Sequence, residues 1–179
     1  MANTRDFETL VLPHLHAAFN LARWLVHDNH AAEDIVQDAC LRAYRYFDAL
    51  RGDDARPWLL GIVRNNCYTW LEEQRLGLGR VELDEELIDT LPAPGHGQGM
   101  DPGAMLDRKR TRKLVDDAIR ALAPPFREVV VLRDLEELSY AEIAQIASIP
   151  IGTVMSRLSR ARAELNTALD ILRGHNGYA

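Results

Sequence analysis

The stretch from Ser139 to Arg162, SYAEIAQIASIPIGTVMSRLSRAR, constrains the fold of this chain more than any other. Ser139 followed three residues later by Glu142 is a capping box. The hydroxyl accepts from the backbone N–H of Glu142 and the carboxylate from that of Ser139, so a helix begins here. That helix is short, with Ile143, Ala144 and Ala147 turned inward. Ser148 and Ile149 make a tight turn, and Pro150 suits the start of a second helix. Small residues at Ala144 and Ala147 let two helices cross closely. Between Ile151 and Arg162 the second helix carries three arginines and no acid. Two short helices joined by a tight turn, the second one basic, spell a helix-turn-helix.

At 3.6 residues per turn, Ile151, Val154, Leu158, Ala161 and Leu165 share one arc and are predicted to face the core. Thr153, Ser156, Ser159 and Arg160 lie opposite, with Met155 and Arg157 on the flanks. Short hydroxyl side chains allow close approach to a groove floor while Arg160 reaches a base or a phosphate. A solvated face of an ordinary helix is the competing reading. The cap, the turn and the upstream helix in register favour DNA contact. Arg162 points nearer the core side and reads as a structural salt-bridge partner.

The rest of the chain is also helical in pattern, and no segment alternates as a strand. Phe7, Leu10, Val11, Leu15, Ala18, Phe19, Ala22, Leu25 and Val26 recur at helical spacing. Asn29 can cap a second helix with the stripe Ile35, Val36, Cys40, Ala43, Tyr44 and Phe47. Gly52 breaks the chain and Pro57 suits the first turn of a third helix, which carries Trp58, Leu59, Ile62, Val63, Cys67, Trp70 and Leu71. Asp84 to Gly103 holds three of the eight prolines and four of the eleven glycines, so a mobile linker is expected there. Leu114, Val115, Ala118, Ile119 and Leu122 form a further stripe. Pro124 and Pro125 then open a short helix with Phe126, Val129, Val130 and Leu132. The expected fold is all-α, with an N-terminal domain over 1–80, a linker over 81–104 and a helix-turn-helix domain over 105–173.

Charge is divided the same way. Residues 1–95 hold 9 basic and 16 acidic residues within a chain of net charge −6. A strong nonspecific nucleic-acid binder needs many cations to release counterions, so a focused DNA contact is the form that fits. Two distant cysteines exclude a disulfide scaffold and fit a reducing cytosol. No apolar run approaches the roughly 20 residues of a bilayer span, and the opening MANTRDFETL lacks the apolar core of a secretory signal. His14 with His16 and His27 with His30 could be drawn as metal pairs, but neither has further ligands to complete a site. No P-loop, GxSxG, HExxH or Gly-rich dinucleotide turn is present. No cofactor, metal, catalytic activity or small-molecule substrate is expected.

Residues 124–165, PPFREVVVLRDLEELSYAEIAQIASIPIGTVMSRLSRARAEL, resemble the C-terminal domain of bacterial extracytoplasmic-function sigma factors. Upstream, AEDIVQDACLRAYRYFDAL followed by RPWLLGIVRNNCYTWLEEQR resembles that family's N-terminal, promoter-melting domain. Two blocks in the right order with the right gap are far more specific than a bare helix-turn-helix. The resemblance implies an alternative sigma factor. Its N-terminal domain would dock on a coiled coil of the largest subunit of core RNA polymerase and open the minus-ten element. Its C-terminal domain would sit on the flap of the second-largest subunit and read the minus-thirty-five element of promoter DNA. It further implies a cytoplasmic protein with an anti-sigma partner able to hold it at the inner membrane face.

Carried onto this chain, the polymerase-docking face is Asp34, Gln37 and Asp38 of the second helix, beside Glu33. Helix capping competes as a role for Glu33 and Asp34. The minus-ten strand would meet Asp54, Arg56, Arg64 and Asn65, in the loop Arg51–Arg56 and on the outer face of the third helix. Asp53 and Asp54 would accept from a base amino group or cap the helix. Trp58 and Trp70 read as core rather than stacking platforms, and Tyr68 as exposed. The minus-thirty-five contacts would be Arg127 and Arg157 as phosphate clamps, with Thr153, Ser156, Ser159 and Arg160 as readers. Many relatives have arginine where this chain has Met155, which offers apolar contact to a thymine methyl instead. Two rivals stand beside this reading. A stand-alone helix-turn-helix regulator would need no acidic docking helix. An all-helical enzyme or scaffold would need a cluster of reactive side chains.

Overall fold

The structure, a computed structural model, describes residues 4–52, 54–77 and 102–176. The expected linker at 81–104 lies almost wholly outside the described residues, as does Asp53. Among the described residues all regular structure is helical.

The first apolar run, which reads as a single helix, is broken. α1 spans Thr4–Leu10, a 3-10 turn follows at Leu12–His14, and α2 spans Leu15–Val26. Pro13 is the cause, since it has no N–H to donate into a continuous helix. The break lets Phe7 and Val11 turn into the core, where Phe7 meets the edges of Tyr44 and Phe47 at 5.1 and 5.5 Å. His27, in the left-handed region, closes α2. α3 spans Asn29–Arg45, and its cap is Asp28 rather than Asn29, because Asp28 Oδ1 accepts from the Ala31 N–H at 2.9 Å. α4 spans Ala55–Arg75, with Asp54 as cap accepting from the Arg56 N–H at 3.2 Å. Gly52, at φ 83°, allows the turn ahead of it. Helices α2, α3 and α4 pack on one another around Leu21, Leu25, Leu59, Leu60 and Val63.

The second domain begins with α5, Pro102–Ala121, followed by α6, Pro124–Val130. The β-prone run Val129–Leu132 is fully helical and buried. It passes into one π turn, Val131–Leu135, closed by the Glu136 N–H on the Val131 carbonyl at 3.0 Å. α7, Tyr140–Ala147, and α8, Ile151–Asn176, complete the domain.

The two domains are packed directly on each other. α4 lies against α7 and α2 against α6, and the buried apolar side chains of both domains form one contiguous cluster. Gly61 of α4 faces the Ile146 carbonyl, which a Cβ there would meet at 3.9 Å. Domains of this size bury only a modest core alone, so a shared face adds apolar burial to both.

Candidate nucleic-acid interface

The helix-turn-helix is built as its local chemistry dictates. The Ser139 N–H donates to Glu142 Oε2 at 2.7 Å, and the Glu142 N–H to Ser139 Oγ at 3.2 Å. These hydrogen bonds hold the Glu142 carboxyl below the usual carboxylate range. Ser148 takes the left-handed conformation, φ 54°, and the Ile149 N–H returns to the Ala144 carbonyl at 3.0 Å, which fixes the angle between α7 and α8. On α8, Val154, Leu158 and Ala161 are buried, while Met155, Ser156, Ser159 and Arg160 are exposed. Met155 is 53% exposed, so the residue that breaks the arginine pattern stands among the outward side chains of α8. Thr153 and Arg157 are half-buried. Ile151, expected in the core arc, is 47% exposed. It is the first helical residue, and a helical side chain covers the turn before its own Cα, which here does not exist. Arg162 pairs with Asp134 at 2.6 Å, the structural role expected of it.

The face of α4 is arranged differently from the sequence expectation. Arg56 and Arg64, the two cations expected on the melted strand, both engage acids of the other domain. The Arg64 guanidinium donates to the Glu128 carboxylate, which is fully buried, and Tyr68 adds its hydroxyl at 2.8 Å. Arg64 also stacks 4.3 Å over the Tyr68 ring. Tyr68, read as exposed, is therefore half-buried at the domain interface. Burial, and then the Glu128 charge, raise its phenol well above the usual value, so it stays a donor. Arg56 Nη2 donates to the Glu136 carbonyl at 2.8 Å and to its carboxylate at 3.2 Å. Asn20 of α2 donates to the same carboxylate at 2.5 Å. Asp54 and Asn65 remain exposed, and Trp58 and Trp70 are half-buried against the core.

Arg127, expected as a phosphate clamp, is 6% exposed and turned inward. Its guanidinium donates to the carbonyls of Trp24 and Leu25 at 3.2 and 3.1 Å, and to those of Arg120 and Leu122 at 2.8 and 2.7 Å. These carbonyls end α2 and α5, where helices leave acceptors unpaired and carry partial negative charge. Arg127 thus caps two helices, one from each domain, and in this arrangement no phosphate reaches it.

The π turn sets Glu136 toward α4, and Arg133 secures the turn by donating to the Leu138 carbonyl at 2.7 Å. Glu128, Glu136, Tyr68 and Asn20 were not legible as a group from the sequence. One signal for Glu128 existed: an acid ahead of the apolar run Val129–Leu132 is buried with it and needs a partner.

On α3, Glu33, Asp34, Gln37 and Asp38 all lie on an exposed face. A groove of about 450 Å³ adjoins it, between α3 and α4, lined in part by Asp38, Leu41, Arg42 and Trp70. Leu41 is exposed beside the acids, so the face is apolar as well as negative. No described helix is long and apolar enough to cross a membrane.

Comparison with known proteins covers both domains. Residues 10–76 match the family description Sigma-70 region 2, and residues 112–165 match Sigma-70, region 4. The RNA polymerase sigma-H factor of Pseudomonas aeruginosa is 33% identical over 174 residues, covering 94% of this chain and 88% of that protein. The ECF RNA polymerase sigma-E factor of Escherichia coli K12 is 32% identical over 175 residues, with the same two shares covered. Among solved structures, the sigma factor RpoE in complex with the anti-sigma factor NepR from Bartonella quintana superposes with a TM-score of 0.70 at 27% identity, over 93% of this chain and 98% of that one. CnrH in complex with the cytosolic domain of CnrY superposes with a TM-score of 0.65 at 24% identity, over 95% of this chain and 91% of that one, a likeness of fold.

Proposed function

The chain belongs to the extracytoplasmic-function sigma factors of the sigma-70 family, and on that premise we propose how its surfaces divide the work of an alternative sigma factor. Such a factor binds core RNA polymerase and directs it to a set of promoters. It is an initiation factor that acts without catalysis of its own.

The exposed acidic face of α3, Asp34, Gln37 and Asp38 with Leu41 beside them, docks on the largest subunit of the polymerase. The outer face of α4 and the turn before it, with Asp54, Arg56, Arg64 and Asn65, hold the melted minus-ten strand. Met155, Ser156, Ser159 and Arg160 on α8 read the minus-thirty-five element, Thr153 and Arg157 flank them, and the second domain rests on the second-largest subunit. The functional units follow the matched segments: an N-terminal domain ending near residue 80 and a C-terminal one from about residue 105. The solved relative holds an anti-sigma factor, which supports control of this chain by a similar partner, in the cytoplasm.

The observation that carries the reading is the presence, in one chain, of an exposed helix-turn-helix reader and a separate acidic docking face. A stand-alone regulator has use for only the first. The test is transcription in vitro with purified core polymerase on genomic DNA, mapping start sites. Starts that require this chain, preceded by a common pair of elements, support the reading. Their absence contradicts it.

A further inference from the structure

The end of α2 carries a group of charges with no part in the DNA and polymerase surfaces proposed above. The guanidinium groups of Arg23 on α2 and Arg120 on α5 both lie against the ring of buried Trp24, 5.7 and 5.8 Å from its centre. With His27 and Asn29 they line a shallow hollow. Arg127 fixes the backbone of this hollow through the carbonyls of Trp24 and Arg120, and its buried Nε has no acceptor among the described residues.

The cations here are in surplus. Arg112, about two turns before Arg120 on α5, adds its charge to the same group. Asp116 is the acid whose charge reaches Arg23, Arg112 and Arg120, and among the described residues none of the three arginines stands within ion-pair distance of any acid. Burial, and then the Arg120 charge, hold Arg23 below its ordinary value. Partial burial, then Arg127 and Arg120, push His27 down to about 4, so at neutral pH it is an uncharged hydrogen-bonding group. Asp28, beside His27 in sequence, accepts from the Ala31 N–H. The ring face of Trp24 attracts each guanidinium and leaves their mutual repulsion in place.

We propose that this hollow is a binding site for a small anion bearing a terminal phosphate, held between Arg23 and Arg120. Guanidinium forks match the oxygens of a phosphate two at a time. Against Asp116, the three arginines leave two positive charges uncompensated, the charge of a phosphate dianion. Asn29 opens α3, so the partial positive charge of that helix end adds to the rim. The hollow has about 10 Å³ of room for the centres of water-sized groups, roughly that of a single water. One oxyanion oxygen enters, and the rest of the ligand stays at the mouth. Such a seat suits a terminal phosphate better than a nucleic-acid backbone, whose phosphates carry one charge each and need a path of cations.

The test is calorimetric titration of the full-length chain with inorganic phosphate and with ATP at constant ionic strength. NMR of the His27 imidazole, identified with His27→Asn, runs beside it. Saturable binding of both anions is expected, with the His27 resonances moving at the same midpoints. Arg23→Gln and Arg120→Gln should each weaken binding at least about tenfold, as for the loss of one hydrogen bond to a charged group. Thermal melts without anion show that each variant is folded, and the His27 readout on the unaltered chain needs neither. The site is overturned by the absence of saturable binding, by affinity that both folded variants retain, or by His27 resonances that stay still while the anion binds. A single-stranded oligonucleotide without a terminal phosphate that binds more tightly than ATP, and is weakened by the same variants, would assign the cluster to nucleic-acid backbone and overturn the small-anion site.

Discussion

Glu128 of α6 and Arg64 of α4, 64 residues apart in sequence, meet across the domain interface with the Glu128 side chain wholly out of solvent. One ion pair thereby couples the domain that would open a promoter to the domain that would read its upstream element. Charge pairs of this kind are sensitive to the loss of one partner and less sensitive to exchange of both.

Arg127 is a structural residue in this arrangement. Arg127→Ala strands four helix-end carbonyls and should lower stability by at least about 3 kcal/mol, given about 1.5–3 kcal/mol for each hydrogen bond to a charged group. Arg127→Lys should recover little, because an ammonium cannot span both pairs of carbonyls. Urea unfolding of the full chain measures both. A stable Arg127→Ala chain with weakened promoter binding would return the residue to the DNA surface.

The proposed docking face should be separable from folding. Asp34→Lys with Asp38→Lys reverses charge at two exposed positions and should abolish measurable binding to core polymerase while shifting stability by no more than about 0.5 kcal/mol. Binding by fluorescence anisotropy beside a thermal melt gives both values. Unchanged polymerase affinity in the folded double variant would remove this face of α3 as the dock.

On α8 the reading and packing faces should respond oppositely. Arg160→Ala should cost roughly 1–3 kcal/mol in promoter affinity, relaxing preference at one position if the contact is to a base. If the contact is to a phosphate, the salt dependence should become shallower across all sequences. Its melting temperature should barely move, since the side chain is exposed. Leu158→Ala, at a buried site, should lose about 2–5 kcal/mol of stability through the cavity left behind. A fully active Arg160→Ala protein would undo the assignment of the outward face.

The capping box predicts a pH signature. The Glu142 carboxyl is held below its ordinary value by Ser139, so the folded state binds its proton less readily than the unfolded chain. Its contribution is therefore complete above about pH 4.5, the ordinary carboxylate value, and is lost as pH falls through the lower folded value. Ser139→Ala should cost about 1 kcal/mol at neutral pH and narrow the gap between variant and wild type in acid. Melts from neutral pH downward check it. A gap that widens in acid would contradict the sign.

What the sequence made legible was local. The capping box at Ser139, the turn at Ser148 and the buried arc of Val154, Leu158 and Ala161 follow from hydrogen bonding and helical period within a few residues. So does the acidic face of α3. Pro13 was equally local and broke a run whose apolar spacing alone reads as continuous. The partners of Arg56, Arg64 and Arg127 were not legible, because each lies on another helix at large sequence separation. Periodicity shows which side of a helix is apolar, and a cation on the opposite side reads as free. Whether it meets DNA, solvent or a buried glutamate depends on how two domains pack, which no single helix encodes.

A gel-shift titration of a mapped promoter fragment with the full-length chain, alone and with core polymerase, at physiological salt separates a sigma factor from a stand-alone regulator. At net charge −6 and with Arg56 and Arg64 engaged by the second domain, the chain alone should bind weakly, since few phosphates are neutralised. With core polymerase it should form a specific complex that survives competitor DNA. Tight, sequence-specific binding by the isolated chain, unchanged by polymerase, would mark a stand-alone regulator and rule out a sigma factor.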